Sequence, residues 1–282
     1  MILDILYDII DFLLPFEWIK HDFMKNAFLA IILLAPVFGI LGTMVVGNRM
    51  AFFSDSIGHG SFTGLAIGAI LGGIRPIWSA ILFSVAFAVV ITVIKNKSRA
   101  SIDTVIGAFS STAVAVGLVI LSLGGGIGKY SSYLVGDILS ISPFEILLAF
   151  AALVAVVILW TVMFNKVLLI SISQSLAASR GVKILPVEII LTATIATVVT
   201  ISIQWVGLLI INSLLVLPAA ASRNISGNVR QYHAISIGIS MFSGISGLIL
   251  SYYLNTATGA TIVLIAAFLY FISILTGKRF SA

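Results

Sequence analysis

Asp55 and His59 stand four residues apart in the stretch Met50 to Gly73, MAFFSDSIGHGSFTGLAIGAILGG. On a helix that spacing puts both side chains on one face about one turn apart, which suits two ligands closing on one cation. The stretch reads as apolar enough to span a bilayer, and an ionisable group at membrane depth is costly enough to count as functional by default. A neutral imidazole and a carboxylate suit borderline divalent ions such as zinc, manganese or ferrous iron, and neither is soft enough to prefer copper(I). Structural zinc takes four ligands, so the pair leaves positions for water or for a second copy of itself. A homodimer whose two stretches face each other across a twofold axis would supply that copy. Two other uses of the pair stay open, a proton relay and a hydrogen-bonded couple serving packing alone. Ser56, Gly60, Gly64, Gly68 and Gly72 recur every fourth residue of the same helix, so a neighbouring backbone can come very close.

The elements that must hold this pair follow from composition. Of 282 residues, 60% are hydrophobic and 9% charged, with a mean hydropathy of +1.22. That is an all-α polytopic integral membrane protein of about eight or nine transmembrane helices, with no length left for a soluble catalytic domain. The chain contains no cysteine, which excludes disulfides and thiolate metal sites. Its net charge of +5 sits in short loops between apolar runs rather than on a folded basic face, which argues against a nucleic-acid partner.

Residues 1–25 alternate apolar residues with Asp4, Asp8, Asp11, Glu17 and Asp22 and break near Pro15, the pattern of an amphipathic helix at the lipid interface. They lack the basic start of a secretory signal, so the segment is expected to be retained. Residues 26–282 then form a single transmembrane domain. Spans are expected at 26–46, 50–73, 77–94, 102–123, 144–164, 186–203, 206–221, 232–253 and 257–276. The two at 186–221, joined only by Gln204-Trp205, read as a tight helical hairpin, with a re-entrant pair as the alternative. In the loop 165–185, Ser173 to Gly181 reads as a short surface helix with a serine cap and a glycine stop, either docking into a partner's groove or merely connecting.

Nine spans place loops 47–49, 95–101, 165–185, 222–233 and the C-terminus on one side. Eleven of the 15 Lys and Arg residues fall there, against Lys20, Lys25, Arg75 and Lys129 on the other. This bias puts those loops and the C-terminus in the cytoplasm and the N-terminus outside. Among the remaining polar residues, Asp103 and Asp137 read as caps, with solvation as the alternative for Asp137, and Glu188 as a dipole-favoured residue near the interface. His21 reads as a solvated loop residue and His233 as an interfacial one, while Asn212 and Gln204 can hydrogen-bond between helices. Gly128-Lys129 mimics a phosphate-binding loop but has Leu123 and Tyr130 where that motif needs Gly and Ser or Thr. The chain therefore shows no nucleotide site of its own.

The segment RMAFFSDSIGHG, Arg49 to Gly60, resembles the signature of zinc/manganese/iron-type ABC transporter permeases. Further matches follow in order. They are Asp103-Thr104-Val105-Ile106-Gly107, Val135-Gly136-Asp137-Ile138-Leu139, Ala177 to Gly181, and Val206-Gly207-Leu208-Leu209 through Leu217-Pro218-Ala219-Ala220-Ala221. The resemblance covers almost the whole chain beyond residue 20. Gly58 and Gly60 depart from it, where relatives often carry other small residues.

The resemblance implies that Asp55 and His59 are the metal-pathway pair and that 173–181 is a coupling helix, with Gln174, Ser175, Ala178, Arg180 and Gly181 as the ATPase-coupling residues. It further implies a homodimeric importer in the cell membrane, supplied by an extracytoplasmic solute-binding protein and driven by a separate cytoplasmic ATPase. Zinc, manganese or iron would be its cargo, with no permanently bound cofactor and no catalytic residue in this chain. The rival is a secondary transporter or channel using Asp55 and His59 as a proton or cation relay. An integral membrane metalloenzyme would need a nucleophile, further ligands or general acids beside the pair, and the sequence offers none.

Overall fold

In lipid every backbone amide must be satisfied inside the protein, so long apolar runs without breakers become helices. A computed structural model describes residues 2–13, 15–71, 76–98, 100–123 and 136–277. Gly72, Gly73, Arg75, Arg99, the phosphate-loop mimic with Leu123's successors up to Val135, Lys278 and Arg279 lie outside the described residues. The helices are α1 (Ile2–Leu13), α2 (Asp22–Gly47), α3 (Ala51–Leu71), α4 (Pro76–Lys97), α5 (Ile102–Leu123) and α6 (Pro143–Ile172). They continue with α7 (Gln174–Ser179), α8 (Ile184–Val206), α9 (Leu208–Ile225), α10 (Val229–Leu254) and α11 (Thr258–Thr276). Apart from α1 and the six-residue α7, each coincides with one expected span.

Seven of these helices are long and apolar enough to cross a membrane, and α3 and α9 are not among them. For α3 this corrects the expectation that Met50 to Gly73 is apolar enough by itself. The residues that could do chemistry dilute it, and shielding by protein makes up the difference, because α3 packs against α4, α5, α8 and α9. For α9 the apolar portion, Ile210–Ile225, is simply short.

Several boundaries move. The expected break at Gln204-Trp205 is absent: α8 runs on to Val206, and Gly207 alone, at φ 90°, joins it to α9. Nor do the two helices form a tight hairpin, since α8 packs chiefly on α4 and α9 on α11 and α2. Trp205, 2% exposed, is drawn into the protein core instead of marking a loop. The 136–140 segment crosses this corner, with Asp137 N–H donating to Gln204 O at 3.3 Å. Gly136, at φ 71°, has no room for a Cβ against Gly207 and Val206.

At 30 residues α6 is about 45 Å long, against about 30 Å of bilayer hydrocarbon. The expected loop at 165–185 is thus largely helix, and Lys166 lies within α6. The loop at 222–233 likewise shrinks to 226–228, with Asn228 Oδ1 accepting from Gln231 N at 2.9 Å to cap α10.

Of the expected caps, Asp137 serves, accepting from Leu139 N at 3.0 Å. Asp103 does not, because Ser101 Oγ accepts from Thr104 N at 3.1 Å and occupies the capping position of α5. His21 is exposed and stacks on Phe23, as a loop residue should. His233, near the start of α10, is buried among Trp160, Phe164 and Tyr232. At the other end, α1 is tied down through Asp11, 2.6 Å from Lys25 Nζ, and through Tyr7, which donates to Asn26.

The turn from α2 into α3 sets the entry of the site helix. Arg49 N–H donates to Val46 O at 3.2 Å and Met50 N–H to Val45 O at 2.9 Å, the double closure that normally ends in glycine. Here Arg49 takes the left-handed conformation, at φ 57°. Arg49→Gly is therefore expected to leave thermal stability in detergent within about 1 kcal/mol of wild type. A loss of activity in that variant would report the guanidinium and not the backbone.

Candidate metal centre on α3

Asp55 Oδ2 and His59 Nε2 lie 3.6 Å apart on α3. Two ligands about 2.1 Å from a zinc ion, set at the tetrahedral angle, would stand about 3.4 Å from each other, so the spacing suits bidentate capture with little rearrangement. The Asp55 and His59 side chains remain 43% and 28% exposed, so the pair opens outward and is not sealed in the core.

The surroundings of α3 explain that opening. At about 100° per residue, Asp55, His59, Phe52 and Phe62 share one face of the helix. On one flank, Thr63 Oγ1 donates to Ala113 O of α5 at 2.5 Å. On the other, Ser54 donates to Asn212 of α9, and Leu208 of α9 covers Gly58. The back of the helix carries the glycines: Phe87 lies against Gly60, and at Gly64 a Cβ would come 2.7 Å from Ala80 Cα of α4. Ser79 Oγ uses this close approach to donate to Gly64 O at 2.8 Å. Gly60, Gly64 and Gly68 thus serve α3–α4 packing within one chain, while the face with Asp55 and His59 looks out between α5 and α9.

Among the described residues, no group of three or more His, Cys, Asp or Glu could hold a metal. Asp55 and His59 are two candidate ligands, with no third beside them among the described residues. A cavity of about 980 Å³ lies elsewhere, lined by residues of α2, α6, α9, α10 and α11, including Arg223, Tyr232 and His233.

The second candidate element also forms as the residues suggest. Ser173 Oγ accepts from Leu176 N at 3.3 Å to open α7, and Gly181 closes it at φ 76° with Val182 N–H donating to Ala177 O at 3.0 Å. Gln174, Ser175, Ala178, Arg180 and Gly181 are exposed, and Ala177 is buried. Glu188, expected to face the helix dipole near the interface, is 6% exposed and has partners the sequence did not suggest. Lys95 Nζ donates to its Oε1 at 3.0 Å, Asn96 Nδ2 to its Oε2 at 2.6 Å, and Gln174 Nε2 of α7 reaches Oε1 at 3.4 Å. In the sequence Lys95 reads as a loop charge, and no local signal pairs it with a carboxylate 93 residues away.

Fold and site together define a class: a polytopic helical membrane protein with a carboxylate–imidazole pair on a shielded helix and an exposed short helix beyond one end of the bundle. The description of the ABC 3 transport family matches residues 20–277, and the chain belongs to that family. It is 30% identical over 261 residues to the high-affinity zinc uptake system membrane protein ZnuB of Haemophilus influenzae, covering 92% of this chain and 99% of the relative. It is 28% identical over 255 residues to the manganese import system permease protein ScaB of Streptococcus gordonii, covering 90% and 91%. The solved structure of PsaBC from Streptococcus pneumoniae in complex with Fab superposes with a TM-score of 0.82 at 26% identity, over 99% of this chain and 97% of that one.

Proposed function

We propose that the chain is the membrane permease of an ABC importer for a divalent transition metal, zinc or manganese, with iron as a third cargo of the same ligand class. The single observation that carries this reading is the 3.6 Å Asp55–His59 pair, open on one face and without a third candidate ligand among the described residues. A second copy brings the ligand count to four when the two α3 faces meet across a twofold axis. Cargo must also leave, so the two faces separate or rotate during the cycle and loosen the four-ligand grip. The names of the zinc and manganese relatives support the cargo class.

The rest of the cycle follows from this assignment. In a multi-pass protein of the cell membrane, the basic loops and C-terminus lie in the cytoplasm and the α1 end lies outside, where a solute-binding protein delivers metal. On the cytoplasmic side, Gln174, Ser175, Ala178, Arg180 and Gly181 meet a separate ATPase, which hydrolyses ATP and moves α7. Residues 1–25 rest on the lipid interface, and 26–282 form the permease body.

Reconstitution into proteoliposomes tests the scheme against the self-sufficient rival. Metal uptake is expected only with ATP, the ATPase subunit and the solute-binding protein all present. Uptake by the chain alone, following an imposed proton gradient, would replace this reading with that of a relay transporter.

A further inference from the structure

Resting on the permease reading, a polar ladder, exposed at Gln174 and Asn96 and buried from Glu188 onward, joins the helix proposed to face the ATPase to the one that carries Asp55 and His59. At its foot Glu188 of α8 receives Gln174 of α7 at 3.4 Å and Lys95 and Asn96 of α4 at 3.0 and 2.6 Å. One turn along α8, Thr192 Oγ1 lies 2.9 Å from Thr92 Oγ1 of α4 and itself donates to Glu188 O at 2.9 Å. Two further turns along, Thr200 of α8 and Ser84 of α4 lie 2.6 and 2.7 Å from Ser61 Oγ of α3. Ser61 donates to Ile57 O at 2.9 Å, so the other two hydroxyls donate to it and its oxygen is fully used. Ser61 is two residues beyond His59.

Stability alone does not call for this arrangement. Ser61, Ser84 and Thr192 are fully buried, and Thr92 and Thr200 nearly so. Hydrogen bonds between helices in lipid contribute little, and a buried ion pair rarely outperforms well-packed apolar side chains. Directional bonds do hold register: a sliding apolar contact dissipates a push, whereas a bonded rung carries it to the next helix. The ladder runs about 18 Å along α8 from Glu188 to Thr200, on a helix stiff enough to move as a unit.

We infer that Glu188, Thr192 and Thr200 are positioning residues that transmit displacement of α7, through α4 and α8, to the Asp55–His59 face of α3. Neither end of the ladder touches metal or nucleotide, so its loss uncouples the two and disables neither.

The test uses the complete transporter in proteoliposomes, comparing wild type with Glu188→Gln at the foot and Thr200→Val at the head. In both, ATP hydrolysed per metal ion taken up is expected to rise about tenfold, within the usual range of coupling between sites, while basal hydrolysis stays near wild type. The exchange Lys95→Glu with Glu188→Lys is expected to restore part of the ratio. A ratio within about twofold of wild type in either variant overturns the inference. So does a parallel fall of uptake and hydrolysis, or failure of both variants to assemble, because either outcome marks the ladder as packing alone. Wild type lacking ATP-dependent uptake would instead sink the permease reading itself.

Discussion

Asp55→Asn and His59→Ala are each expected to lower metal uptake about 100-fold or more at limiting metal, with the protein still present in the membrane. Partners that merely orient a metal ligand cost about 10 to 100-fold when lost, and a ligand itself costs at least as much. In the proposed twofold assembly the expected loss is larger, since one substitution would remove two of the four donors. Both variants are expected to fold, because both side chains stand on the open face of α3 and the helix is held by its other sides. Uptake should be measured separately with zinc, manganese and iron, since a carboxylate and an imidazole contribute differently to each. A His59→Ala protein that loses zinc but keeps manganese would identify the ring as the selective ligand. Near-normal uptake of every metal by both variants would remove the pair from the pathway.

Gly64→Val is expected to disrupt the protein itself. A Cβ at this position would lie 2.7 Å from Ala80 Cα and 2.9 Å from Phe83 Cβ, with Ser79 O at 3.1 Å, so it presses largely on backbone that has nowhere to go. Overpacking of this kind costs about 1–3 kcal/mol, and displacement of α4 would also break the Ser79–Gly64 hydrogen bond. Thermal unfolding in detergent should shift down sharply, and α3 should lose the position that sets the direction of Asp55. Gly238→Val is the control. That residue is exposed with no atom within 4 Å of an added Cβ, so its variant should unfold near the wild-type temperature. Equal stability of the two variants would mean that α3 and α4 are not packed backbone to backbone.

The limits of a sequence reading are clearest around α8. The Gln204-Trp205 pair reads as a loop because polar and interfacial residues usually end spans. In the fold Trp205 is sequestered and Gly207 alone makes the corner, because only glycine takes φ 90° there without strain. Glu188 misleads in the same way. A carboxylate five residues into a helix suggests the dipole, but its partners lie on α4 and α7, and a distance of 93 residues leaves no periodic trace. The surface helix α7, by contrast, is legible because its cap, length and stop are all local chemistry.

By itself, the sequence determined the class and nearly every helix, and it singled out the candidate pair. Bilayer thickness sets run length, helical period sets the four-residue spacing, and the cost of a lone charge in lipid singles out Asp55 and His59. Tertiary structure alone decided which face of α3 is open and which is sealed, that the glycine repeat meets α4 inside one chain, and that Glu188 bridges three helices. Those facts depend on which helices lie side by side. In a chain this uniformly apolar, many neighbours would bury the same oily surface, and only close steric and hydrogen-bond fit selects among them.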